Sequence, residues 1–128
     1  MTDEISSNIY RYFDKPEELD GFEQSAFIIP EIAYDYCLTV YRRNDDTDPD
    51  QRAIDCIASN AYWSYMFADQ IIEAPFPQGE PAIARKAMYS MRYAKHVLHD
   101  RFKLGEPIIK KAGGVVKKDY EKEFGVTL

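Results

Sequence analysis

The sequence predicts an all-α protein, built as an array of tandem helical hairpins of about 26 residues with a capping segment at each end. The first observation is a repeat. Residues 61–86, AYWSYMFADQIIEAPFPQGEPAIARK, are followed at once by 87–112, AMYSMRYAKHVLHDRFKLGEPIIKKA, and Ala61, Ser64, Ala68, Phe76, Gly79, Glu80, Pro81 and Ile83 recur as Ala87, Ser90, Ala94, Phe102, Gly105, Glu106, Pro107 and Ile109. The second is that Trp63, Phe67, Ile71 and Ile72 pair with Tyr89, Tyr93, Val97 and Leu98, so large apolar positions keep their character while polar ones drift. The third is spacing, because the shared residues fall three and four apart, as one face of a helix requires.

At 128 residues, with 45% hydrophobic residues and ten tyrosines, the chain reads as one domain able to bury a core without a staple. Within it, 1–29 reads as an N-terminal cap, 30–60 as a degenerate first unit, 61–112 as two clear repeats and 113–128 as a terminal cap. In the first segment Asp14 caps a short helix, Pro16 lies in its first turn and Gly21 ends it. Pro30 then opens a helix to about residue 43, with Ala33, Tyr36 or Cys37, Val40 and Tyr41 at helical spacing.

The loop RNDDTDPDQ follows. Asp46, Asp48 and Asp50 alternate as in a calcium loop, but Gln51 and Ile57 stand where that loop needs Gly and Glu. The acids are better explained by a helix start, with Asp48 as cap and Pro49 at the first position of a helix to about Ser59. Ile57-Ala58 matches Ile83-Ala84 at the same offset, so the repeat begins before residue 61.

Within one repeat the longer helix, read from Ala87, Ser90, Met91, Ala94, Val97 and Leu98, ends in a turn pinned by Phe76 or Phe102. Gly79 or Gly105 breaks the chain, Glu stands at the next helix start and Pro fills its first turn. The offset then carries 87–98 onto GGVVKKDYEKEF, with Val116, Tyr120 and Phe124 inward.

Charge is split along the chain. Residues 1–80 hold five Lys and Arg against 17 Asp and Glu, and residues 81–128 hold 11 against five. The acidic part repels phosphate backbones, which disfavours nucleic acid as the main partner, and head-to-tail self-association is the other consequence. Cys37 and Cys56 lie 19 apart with no CxxC, as reduced thiols of a cytoplasmic protein do. No apolar run approaches the ~20 residues needed to span a bilayer. His96, His99 and Asp100 share a helical turn but read as a solvated face, since the first copy has Gln70, Glu73 and Ala74 there. No phosphate loop, GxSxG or HExxH motif is present, and the sequence points to a non-enzymatic protein without metal or cofactor.

YAKHVLHDRFKLGEPIIKK, the preceding QGEPAIARKAMYSMRYA and the ending YEKEFGVTL resemble the tandem YAxxVLxxRFxxGEPxI-type units of small α-helical repeat proteins of tailed bacteriophages. The resemblance covers residues 49–128. It implies a helical array acting in the host cytoplasm on a bacterial factor, as an inhibitor or modulator of an enzyme or a defence complex, and it brings no catalytic residues with it. The competing expectations are a nucleic-acid binder using the basic end, where Tyr89, Arg92, Tyr93, Lys95 and His96 interleave, and a virion component. The expected partner-binding residues are Asp45, Asp46, Asp48 and Asp50 for steering, with Trp63, Arg92 and Tyr93 as aromatic and guanidinium anchors.

Overall fold

The computed structural model describes residues 27–43 and 47–128, so the short helix expected around Asp14, Pro16 and Gly21 lies outside the described residues, as do Asp45 and Asp46. The described residues form seven α-helices and no strand, which is the all-α class the spacing predicts. The chain divides into two compact units, residues 1–57 and 58–128.

In the first unit α1 runs from Pro30 to Arg42, with Pro in its first turn, Glu31 at its positive end and Arg42 at its negative end. Its inward face buries Ile32, Ala33, Tyr34, Tyr36, Cys37 and Val40. α2 spans Gln51–Ala58 and buries Ala53 and Ile57. Its start corrects the sequence reading, because Asp50 and not Asp48 is the cap. The Asp50 carboxylate accepts the Arg52 backbone N–H at 2.9 Å, and its carbonyl accepts from Ala53 at 3.0 Å. Meanwhile the Asp50 N–H donates to the Tyr36 phenol at 3.1 Å. Tied to α1 in this way, Asp50 stays outside the helix and Pro49 is a buried residue ahead of it.

The second unit runs twice through one succession of elements. α3 (Ala61–Met66) widens into a π-helical segment, Phe67–Ile72, and after a turn a 3₁₀ stretch, Pro77–Gly79, leads into α4 (Glu80–Ile83). α5 (Ala87–Tyr93) widens into Ala94–Leu98, and Lys103–Gly105 leads into α6 (Glu106–Ala112). α7 (Gly114–Phe124) closes the chain. Asn60 caps α3, its side chain accepting the Trp63 N–H at 2.9 Å. α3 packs on α4 and α5, and α5 packs on α6 and α7.

Each π segment ends on a non-glycine residue in the left-handed region, Glu73 at φ 48° and His99 at φ 53°. The next N–H reaches back six residues, from Ala74 to the Ala68 carbonyl at 3.1 Å and from Asp100 to that of Ala94 at 3.3 Å. Both alanines are fully buried, so the widened turn is packed against its neighbours at the position where side chains are smallest.

The glycines of the two turns serve space and not dihedral freedom. Gly79 and Gly105 have ordinary φ values of -89° and -91°. A Cβ on Gly79 would lie 2.6 Å from the Ser64 hydroxyl and from the Phe76 ring, and one on Gly105 would lie 2.5 Å from Ser90 Oγ and 2.7 Å from the Phe102 ring. This shared approach explains why Ser, Phe and Gly recur together. Ser90 also donates to the Ile83 carbonyl at 2.9 Å inside the core.

Candidate functional site

The recurring Phe and Glu of the repeat take part in two matching hydrogen-bonded clasps. Tyr93, wholly buried, accepts the Phe76 N–H on its phenol oxygen at 2.8 Å and donates its proton to Glu80 Oε2 at 2.7 Å. Tyr120, also wholly buried, accepts the Phe102 N–H at 3.0 Å and donates to Glu106 Oε2 at 2.6 Å. One phenol thus satisfies a buried amide and a carboxylate at once, two needs that would otherwise cost free energy in the interior. Burial, with the carboxylate bond next, raises the Tyr93 phenol above its ordinary range and pushes Tyr120 up to about 12.

The second clasp carries an addition. Arg101 grips Glu106 with Nε at 2.7 Å and Nη2 at 2.8 Å, a forked geometry suited to carboxylate. That bond, and then the Tyr120 proton, hold the Glu106 carboxyl below its usual range against the opposing effect of burial. Pro75 stands in place of Arg101 in the first copy.

Tyr93 is therefore corrected. Expected as an exposed anchor, it is a structural pin, because its ring packs at 5.0 Å on Phe102 and its hydroxyl is consumed internally. Asp50 is likewise engaged, as the α2 cap with Arg52 on both carboxylate oxygens, and the Arg52 hydrogen bond lowers its pKa. Asp48 and Arg92 are exposed. Trp63 is half-buried, with its ring edge-on to Tyr62 at 4.7 Å. The second unit brings Trp63, Arg92 and Tyr93 onto the neighbouring helices α3 and α5, while Asp48 and Asp50 belong to the first unit.

Around the clasps the surface is what differs between copies. A groove of about 430 Å³ is lined on one side by Asp69, Glu73 and Pro75, and on the other by His96 and His99. No group of three His, Cys, Asp or Glu side chains among the described residues is placed to hold a metal ion. His96, His99 and Asp100 are exposed, and Asp100 takes the Arg101 N–H at 2.7 Å. No helix among the described residues is long and apolar enough to cross a membrane.

No protein-family model matches the chain, and the searches of curated proteins and solved structures return no match either.

The sequence reading missed a row of exposed apolar residues on the second unit. Tyr62, Met88 and Val115 are 37%, 42% and 82% exposed, and each is the second residue of its helix, in α3, α5 and α7. The signal was present in the 26-residue offset that pairs Tyr62 with Met88. Val115 escaped because the last copy is shifted by one residue, as Tyr120 standing 27 after Tyr93 demonstrates.

Proposed function

We propose that the chain is an array of tandem helical hairpins with a cap at each end, and that it acts without catalysis, as a module that binds a protein. The observation that carries this reading is the division of labour within the repeat. The shared Phe and Glu enter the clasps and the shared Ser, Phe and Gly the close contact, whereas exposed positions change character, with Gln70, Glu73 and Ala74 answered by His96, His99 and Asp100. A scaffold that fixes its interior and varies its surface is how helical arrays present binding faces. The resemblance to repeat proteins of tailed bacteriophages makes the partner a bacterial host factor, and inhibition or redirection of a host enzyme or a defence complex the task, in the host cytoplasm.

On this reading the acidic loop steers association with a basic partner surface. The test is capture of the host factor from bacterial lysate on immobilised protein, identification by mass spectrometry, and measurement of association against salt. Reversing Asp45, Asp46 and Asp48 to lysine, with Asp50 kept because it caps α2, should slow association and flatten its salt dependence. Reversing Lys110, Lys111, Lys117 and Lys118 should matter less. Unchanged kinetics in the acidic reversal, with the helical spectrum intact, would move the interface to the basic end.

A further inference from the structure

The row formed by Tyr62, Met88 and Val115 has no part in the clasps. These residues occupy the same position in three alternate helices of the second unit, and α3 packs on α5 as α5 packs on α7. Beside them, at the third helical position, lie half-buried Trp63, Tyr89 and Val116. Tyr62 continues the contact sideways, with ring centroids 4.7 Å from Trp63 and 5.5 Å from Tyr89. The result is a ribbon of apolar side chains running across the helix starts. Its borders at Met88 and Val115 are cationic, since Arg85 and Lys86 precede Met88, Lys110 and Lys111 precede Val115, and Lys118 follows, all of them exposed.

We propose that this ribbon docks an acidic amphipathic helix of a partner protein, one that presents an apolar residue every seventh position between flanking carboxylates. The inference rests on the protein-binding reading but concerns residues other than those of the acidic loop. The spacing follows from geometry. Packed helices lie about 8–10 Å apart, so the three apolar positions step across the unit at roughly that interval. Seven residues of α-helix rise ~10.5 Å and make almost two full turns, returning a side chain to the same face. A partner helix of about four turns therefore meets Tyr62, Met88 and Val115 in succession, and its carboxylates meet the lysines and arginines on the rim.

Charge and shape select this occupant over two others. Nucleic acid needs open aromatic faces for stacking, but Tyr62 is edge-on to both Trp63 and Tyr89, at 77° and 63°, and the other two members of the row are aliphatic. A second copy pairing the same ribbon by two-fold symmetry would set cationic borders against each other.

The test uses the full chain and a fluorescein-labelled helical peptide with leucine at every seventh position and glutamate on either side, read by fluorescence anisotropy. Saturable binding is expected, weakened at least tenfold in Met88→Glu/Val115→Glu, which alters only exposed positions and should keep the helical spectrum. The lysine version of the peptide should not bind. Absence of binding by the glutamate peptide, or equal binding by the double variant, overturns the proposal. So does tighter binding of labelled oligo(dT) than of the peptide, or a concentration-dependent dimer in sedimentation that the double variant abolishes. If the host factor captured from lysate is retained equally by wild type and double variant, the protein-binding reading stands and the ribbon proposal alone falls.

Discussion

Tyr93 donates its phenolic proton to Glu80, 13 residues earlier in the chain, while accepting the amide of Phe76, 17 residues earlier. One hydroxyl thereby fixes both the start of α4 and the turn before it.

Tyr93→Phe should consequently cost more than the loss of one ordinary hydrogen bond. The Phe76 N–H would remain buried without its acceptor, a penalty of roughly 1–3 kcal/mol, and the ring would still fill its space. Tyr120→Phe should behave similarly at the second clasp. Urea unfolding with an unchanged slope would register both as losses of stability; a midpoint equal to wild type in either variant would contradict the assignment.

Gly79→Ala and Gly105→Ala should each destabilise by about 1–3 kcal/mol, because the new methyl group overpacks a closed contact. Replacing Ser90 by Gly in the Gly105→Ala background should recover part of the loss, since the nearest atoms to that methyl are Ser90 Oγ and Cβ. Thermal melts of the single and double variants decide it. Gly105→Ala at wild-type stability would mean that the approach is looser than described.

His99→Gly and Glu73→Gly should stabilise. Both residues sit in the left-handed region, which L side chains enter at a cost of roughly 1–2 kcal/mol, offset in part by the greater chain entropy of glycine. A gain of a few tenths to ~1 kcal/mol is expected for each, measured by urea unfolding. A loss at both positions would indicate that the side chains contribute contacts outweighing the backbone preference.

The pH dependence follows from opposite shifts in the second clasp. Glu106 is lowered from 4.5, so its stabilisation is present above that value and fades as pH falls through the lower folded pKa. Tyr120 is raised from 10.0 to about 12, so its contribution is complete below pH 10 and fades as pH climbs toward 12. Unfolding monitored across pH should show an alkaline decline that is reduced in Tyr120→Phe. A decline unchanged in that variant would assign it elsewhere.

The all-α class and the succession of helix, turn and helix over residues 61–112 were legible because packing demands recur as identities: a Ser, a Phe and a Gly that must touch cannot drift. The role of Tyr93 was hidden, since its counterpart Phe67 lacks the hydroxyl and the pair looked like interchangeable aromatics. The π-helical segments left no trace, because Glu73 and His99 stand where a left-handed turn ordinarily writes Gly or Asn. Asp48 and Asp50 flank Pro49 alike, and it is Asp50 that bonds the Arg52 N–H while its own N–H is tied to Tyr36. Of the binding residues, local chemistry distinguished charged from aromatic positions but could not tell a ring turned inward from one left at the surface.

The direction of the clasps has a consequence for biosynthesis. In both, the hydroxyl lies downstream of the amide it satisfies, by 17 residues for Phe76 and 18 for Phe102. Each turn therefore keeps its amide without this acceptor until the helix that follows has been made and has packed against it.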